Sequence, residues 1–397
     1  MPHCLNCSQK LTLKLIDMGK VPIANHLLRL KKEKFKTYPL EVFLCKKCKL
    51  FQLGQRVSPK IIFNNYFYHS SYSSSFLKHA ESYVKQVVKK LDFRNNKLIF
   101  EIASNDGYLL KNFDKKQFNL VGIEPSKNVA EIAIKSGVNT ENLFFNISSS
   151  KFLRKQYGIP KLIIANNVLA HVPNLNVFFK SLDNISSEET IISIEFPSVK
   201  NLINENQFDT IYHEHYTYLS LTSINFILKK YLFKVFKVEK LNTHGGSLRI
   251  WISKGNLKID KSVNLELNDE AKEKIFDKKK LMNFNNKAIK KREKFINFIN
   301  ECKRENKSVY AYGAAAKGIS FLNYCGKNSI FINAIFDKNK MKQNCYIPGV
   351  KIKILDPKEI RKHKPDFIII LPWNLKNEIK NELKFVKSWG GKFISFD

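Results

Sequence analysis

The chain has no apolar run of the roughly 18 residues that a membrane-crossing helix needs, so no spanning helix is expected. Its opening, Met1-Pro-His-Cys4, has neither the basic block nor the apolar block of a secretory signal, and a cytoplasmic location is expected. Arginine is scarce, at eight of 68 basic residues. The formal charge of +33 is therefore carried by lysine, spread through an Asn- and Lys-rich sequence. A nucleic-acid binder would concentrate Arg and aromatic residues on one element, and no such cluster is seen, so neither a nucleic-acid nor a membrane partner is expected. The basic balance remains compatible with a phosphate-bearing small substrate. Cysteine is sparse and odd in number, at 7, which argues against a disulfide framework.

What is present is enough for real cores. A length of 397 residues predicts two or three domains, and 44% apolar residues excludes a disordered chain. The oligomeric state is read no further than monomer or homodimer.

The organising stretch is Lys97 to Ser126. The apolar run Lys97-Leu-Ile-Phe100 suits a buried strand. A small-residue turn, Glu101-Ile-Ala-Ser-Asn-Asp-Gly107, follows, then a short expected helix, then a second strand ending at Glu124. This is the opening of a nucleotide-binding βαβ unit. Small residues let the backbone approach a ligand, and a helix N-terminus offers free amides. An acid at the end of the second strand can accept both hydroxyls of a ribose, which assigns that role to Glu124. Gly107 is the one glycine in the turn, and Ala103 stands where a first glycine is expected. A generic α/β turn is the plainer alternative.

Two CxxC pairs, Cys4-Leu-Asn-Cys7 and Cys45-Lys-Lys-Cys48, open the chain. Each pair aims two thiolates at one metal, and two pairs complete a tetrahedral zinc site. Four protein ligands leave no position for water, so the zinc is expected to be structural. His3 and His26 read as surface residues. Apolar runs at 11–16 and 38–44 read as short strands around the metal. The loop Val21-Pro-Ile-Ala-Asn-His26 has no evident role in the sequence.

Further along, Tyr66, Tyr68 and Tyr72 lie among serines before a helix starting near Phe76. They read either as an N-capping loop or as a lid whose phenols face a sugar. A strand is expected near 139–145, and the strand 161–165 runs into Asn166-Asn167 and His171, at a strand end where ligands sit in open α/β sheets. A capped core histidine is the plainer reading of His171. Tyr212-His213-Glu214-His215 packs four polar or titratable groups into four residues, the setting for a general base oriented by a carboxylate. Thr243-His244-Gly245-Gly246 precedes a strand and reads as a close backbone approach or a turn into an edge strand.

Residues 256–305 read as lysine-rich amphipathic helices. After them comes a second, smaller Rossmann-like half. Its turn, Gly313-Ala-Ala-Ala-Lys317-Gly318, puts backbone amides and a lysine where a pyrophosphate could lie. A degenerate structural repeat is the alternative. Later strands are expected at 330–336, ending at Asp337, at 366–371 and at 391–396.

Taken in order, the paired CxxC start, the 66–75 segment, Glu101–Gly107, Tyr212–His215, Thr243–Ser247 and Tyr312–Gly318 resemble the sugar C-methyltransferases that act on nucleotide-bound keto-deoxysugars. The resemblance spans essentially the whole chain. It implies an α/β protein with a zinc-binding domain at 1–60, a Rossmann-like methyltransferase domain at 75–250, and a Rossmann-like domain at 251–397 that contributes to nucleotide-sugar binding. It implies S-adenosylmethionine as methyl donor and carbon 3 of a 4-keto-6-deoxyhexose as acceptor. His215 looks like the base, with Tyr212 and Glu214 beside it. Glu101, Ala103, Ser104, Asn105, Gly107, Glu124 and Asn166 match cofactor positions. Tyr66 or Tyr68, Asn167, His171, His244, Gly313 and Lys317 match substrate positions. Ala103 departs from the family's glycine. Two other classes stay open: a nucleotide-sugar oxidoreductase, which lacks a full glycine fingerprint here, and a zinc-dependent nucleic-acid binder.

Overall fold

The computed structural model describes residues 2–63, 71 and 74–396. Tyr66, Tyr68 and Tyr72 lie outside the described residues.

The central sheet has seven strands. In spatial order they are Thr140–Glu141, Asn119–Ile123, Leu98–Ile102, Leu162–Asn166, Ile191–Pro197, Ser247–Ser253 and Lys234–Leu241. The first five are parallel and the last two run antiparallel to their neighbours. The parallel strands read as unbroken apolar runs because both faces are covered. Helix Ser74–Lys90 packs Tyr83, Val84 and Val87 on one face, near Ile99, Ile164 and Trp251. Helix Leu175–Ile185 packs Phe178, Phe179 and Leu182 on the other, near Phe100, Ile163 and Ile194. The chain winds one way from Leu98–Ile102 and the other way from Leu162–Asn166. A crevice therefore opens beyond the carboxyl ends of these two strands.

The C-terminal sheet repeats the plan. Its strands are Ile354–Leu355, Ile335–Phe336, Val309–Tyr312, Phe367–Ile370 and Lys392–Ile394, all parallel. Its helix Ala316–Cys325 starts directly after the small-residue turn.

The N-terminal strands Leu13–Pro22, Thr37–Leu44 and Phe51–Leu53 form an antiparallel sheet. Its fourth strand, Thr217–Tyr218, comes from the central part of the chain and pairs Tyr218 with Phe51. The Tyr212–His215 stretch is thus tied to the N-terminal sheet a few residues downstream.

The lysine-rich stretch forms helices Lys261–Lys272 and Lys278–Arg304. Glu270 of the first accepts hydrogen bonds from the Leu221 and Thr222 amides, closing the N-terminus of helix Leu221–Leu228. The second buries Phe284, Phe295 and Ile299 in one core shared with Leu15, Val42, Phe51, Tyr216, Ile319 and Ile335. The three parts therefore share one apolar core and do not meet only at linkers. No described helix is long and apolar enough to cross a membrane.

Three local expectations are corrected. No full helix follows Gly107; a single 3-10 turn, Leu110–Asn112, takes its place. The Asn112 side-chain amide donates to the Tyr108 and Leu109 carbonyls, which would otherwise continue a helical ladder. The strand expected at 139–145 shrinks to Thr140–Glu141. The strand after Gly246 is interior to the sheet, fully buried between two antiparallel partners.

Candidate active site

One cleft of about 910 Å³ opens where the carboxyl ends of the parallel strands of the central and C-terminal sheets face each other. Ala103, Asn105, Glu124 and Asn166 line one side, and Gly313, Lys317 and Asp337 line the other. Between them stand Tyr212, His215, His171, Asn167 and His244.

The 103–107 turn is built on left-handed backbone. Ala103, Asn105 and Gly107 have φ of 53°, 51° and 75°. Ala103 thus adopts the conformation a glycine would take freely, at a cost of about 1–2 kcal/mol. At Gly107 a Cβ would lie 2.8 Å from Val138 Cγ2, so close packing as well as φ requires glycine. Glu124 accepts from the Asn105 amide at 3.0 Å and the Ser126 amide at 2.8 Å. Burial pushes its carboxyl up to about 7, against the pull of those amides. The Glu101 and Ser104 side chains are buried and are not among the residues that line the cleft. Glu101 is buried and its pKa is raised well above the usual range, by desolvation first and then by Asp106 and Glu124. The Ser104 hydroxyl packs against Gly122, where a Cβ would come within 2.5 Å of it. Asp106, which the sequence reading did not single out, accepts from the Ser71 amide and hydroxyl at 3.2 and 2.6 Å.

At the centre, the His215 ring is fixed from both nitrogens. Nδ1 lies 3.1 Å from the Thr210 carbonyl, which only accepts, so Nδ1 carries the proton. Nε2 then presents its lone pair and accepts from the Tyr212 hydroxyl at 2.8 Å. Burial, then the nearby His171, hold the His215 pKa well below its ordinary value, so the ring is neutral. His171 meets it edge-on at 4.7 Å and bonds the Glu214 carbonyl through Nδ1 at 2.8 Å. Burial pushes His171 down to about 4. His244 sits at a φ of 54°, with a buried Nε2 that has no hydrogen-bond partner among the described residues. Asn167 is also left-handed, at 57°, and both its side-chain polar atoms are buried without partners among the described residues.

The stretch 212–215 is not a helix, and alternate side chains diverge. His213 turns to the Tyr38 carbonyl at 3.3 Å. Glu214 turns away from His215: its carboxylate accepts from Asn25 Nδ2 at 3.0 Å and the Asn25 amide at 3.3 Å, and among the described residues no hydrogen bond joins it to His215. Burial raises it to about 6. Asn25 itself lines the cleft.

On the far side, Gly313 has a φ of 88°, and a Cβ there would sit 2.5 Å from Pro372 Cδ. Lys317 Nζ donates to Asn374 at 2.8 Å and lies over the Trp373 ring. Burial pushes its ammonium pKa down, with Asp209 pulling the other way. Asp337 accepts from the Ala314 amide at 2.7 Å and the Asn339 amide at 2.8 Å. This repeats the construction at Glu124, with an acid at the second strand's end bonded to the first turn.

The four N-terminal cysteines converge. All four Sγ atoms lie within 4.8 Å of one another, with Cys4–Cys48 at 3.4 Å and Cys7–Cys45 at 3.5 Å. No disulfide joins them. Four thiols gathered around one point fit a tetrahedral Zn²⁺, with Cys4, Cys7, Cys45 and Cys48 as ligands.

Three family models tile the chain. A putative zinc-binding domain matches residues 4–63, a methyltransferase domain 61–238, and a C-methyltransferase C-terminal domain 242–396. The chain belongs to the S-adenosylmethionine-dependent C-methyltransferases and carries their zinc-binding domain. The C-methyltransferase NovU of Streptomyces niveus is 27% identical over 397 residues, covering 99% of this chain and 94% of that protein. Among solved structures, the plantazolicin methyltransferase BpumL with S-adenosylhomocysteine aligns over 46% of this chain and 84% of its own, at 16% identity and a TM-score of 0.35. The magnesium protoporphyrin IX methyltransferase of Synechocystis aligns over 45% and 78%, at 14% identity and a TM-score of 0.34.

The cofactor assignment has a direct check. S-adenosylhomocysteine at a hundredfold excess over its Kd should stabilise the protein by about 2.7 kcal/mol and raise the melting midpoint, whereas NAD should not. A rise with NAD alone would return the oxidoreductase reading.

Proposed function

We propose that the protein methylates the carbon next to a ketone, C-3, of a nucleotide-diphosphate 4-keto-6-deoxy sugar. The observation that carries this is the shared cleft. The cofactor turn, the Tyr212–His215 pair and the Gly313–Lys317 turn all open onto it. A proton acceptor, a methyl-donor site and a second βαβ turn suited to a diphosphate are what such an acceptor requires.

When bound, S-adenosylmethionine supplies an electrophilic methyl group. Glu124 at the second strand's end is placed for its ribose, and Ala103, Asn105 and Asn166 form the surrounding wall. The chain's own work is on the proton. His215 Nε2 draws on the Tyr212 hydroxyl, and this pair takes the proton from the carbon beside the ketone, leaving an enolate. Asn167, His171 and His244 surround the place where the sugar would lie, and Lys317 with the Gly313 turn supports the diphosphate. None of the four cysteines lines the cleft, and four protein ligands leave a zinc no open position, so its part is structural.

Because burial holds His215 neutral, its basic form persists below pH 6.5. With cofactor saturating, so that Glu124 is already engaged, the acid limb of kcat/KM for the sugar is therefore expected below pH 6.5, with activity lost as pH falls. An acid limb centred above that value would contradict the assignment. Incubation with cofactor and a panel of nucleotide keto-sugars, read by mass spectrometry, tests the acceptor. A 14-Da gain on a 4-keto-6-deoxy sugar nucleotide is the expected result, and gain only on an unrelated acceptor overturns it.

A further inference from the structure

One buried acid just upstream of the base has no part in the reaction as described. Asp209 lies in the 3-10 turn Phe208–Thr210, which leads into the Tyr212–His215 stretch. Its side chain is buried, and a carboxylate out of water is costly unless a donor meets it. The donor comes from the C-terminal half, across 164 residues: Trp373 Nε1 donates to Asp209 Oδ2 at 2.6 Å.

Trp373 is itself held in place. A Cβ at Gly245 would collide with its ring, and Lys317 Nζ lies over that ring at 4.6 Å. Lys317 also bonds the next residue, Asn374. The helix that carries Lys317, Ala316–Cys325, reaches the far side of Thr210 as well, where the Ser320 hydroxyl donates to the Ile211 carbonyl at 2.6 Å. Thr210 therefore stands between two residues that are both tied to the C-terminal half. Its own amide and hydroxyl turn back to the Gln207 carbonyl, at 3.1 and 2.7 Å. Its carbonyl is left for His215 Nδ1, at 3.1 Å.

That last bond decides what His215 can do. A neutral imidazole has one proton for two nitrogens, and the hydrogen bond at one sets the state of the other. With the proton on Nδ1, the Nε2 lone pair is free to act as base. Were the Thr210 carbonyl to swing away, the proton could settle on Nε2, and the basic lone pair would point out of the site.

We infer that Asp209, through its bond to Trp373, is a positioning residue for His215: it fixes the Thr210 carbonyl that keeps the base in its Nδ1–H form. The inference rests on the reading of His215 as the base and not on the identity of the acceptor.

Nitrogen-15 NMR of the full-length, zinc-loaded protein with labelled histidine tests it, because the two neutral tautomers differ in their ring-nitrogen shifts. His215 is assigned by the signal that H215A lacks. Wild-type protein should show His215 as Nδ1–H. Asp209→Asn keeps an oxygen that can accept from Trp373 and should leave that signal in place. Asp209→Leu and Trp373→Phe each break the link and should move His215 toward the Nε2–H form. Where a keto-sugar is turned over, both should also lower kcat by about 10- to 100-fold, the scale of a misplaced catalytic group. Melting curves and S-adenosylhomocysteine binding show which variants are folded, and Trp373→Phe decides alone should Asp209→Leu fail to fold. An unchanged His215 signal in a folded variant that lacks the link overturns the inference. So does wild-type His215 in the Nε2–H form, or a shift in Asp209→Asn as large as in Asp209→Leu. Failure of methyl transfer to every keto-sugar would leave the tautomer result standing, so the two readings fail separately.

Discussion

Replacing His215 by Ala is expected to lower turnover by about 10²- to 10⁴-fold, the usual contribution of a positioned general base. Affinity for S-adenosylhomocysteine should stay the same, because the His215 contacts run to Thr210 and Tyr212 and not to the 103–107 turn. Tyr212→Phe removes the hydroxyl that bonds Nε2 at 2.8 Å and should also cut kcat, with the fold and cofactor affinity intact. Steady-state kinetics with calorimetry separates these effects. Unchanged kcat in H215A, with the protein shown folded, would end the assignment of His215 as base.

Removing zinc is the second large effect. Structural zinc contributes on the order of 10–16 kcal/mol of apparent binding energy in small zinc-finger peptides, and that energy is folding energy. Here its loss should spread beyond the N-terminal segment. The sheet that the metal anchors includes Thr217–Tyr218, and the Tyr216 amide bonds the Ala170 carbonyl beside His171 at 2.7 Å. Chelation, or Cys45→Ser, should lower bound zinc from one equivalent toward none, drop the melting temperature and abolish turnover together. A zinc-free protein that melts and turns over like the native one would contradict the structural role.

Much of this was readable in residues 1–126 and 307–337, because the chemistry there depends on local spacing. Two CxxC pairs define a metal site wherever the chain between them goes. An apolar run, a small-residue turn and a strand-end acid define a nucleotide turn, and Glu124 stands where that logic puts it. Asp337 carried the same signal after the second glycine turn and was noted only as a strand end. What spacing cannot show is direction. Glu214 sits next to His215 in sequence, yet the turn sends its carboxylate to Asn25, across 189 residues. The same holds for His79, Glu195 and Arg249, which three separate elements bring together. Ala103 shows the converse. The missing glycine reads as a defect, and the backbone takes the left-handed turn regardless.

The proposed reaction requires the Tyr212–His215 pair to remove a proton from the carbon beside a ketone. The most direct measurement is hydrogen exchange without methyl transfer. The protein would be incubated in deuterated water with S-adenosylhomocysteine and a nucleotide 4-keto-6-deoxy sugar, and deuterium at C-3 followed by mass spectrometry and NMR. Wild-type protein is expected to exchange that position while H215A does not. Exchange at equal rates in both proteins, or at C-3 in neither, would contradict the central claim.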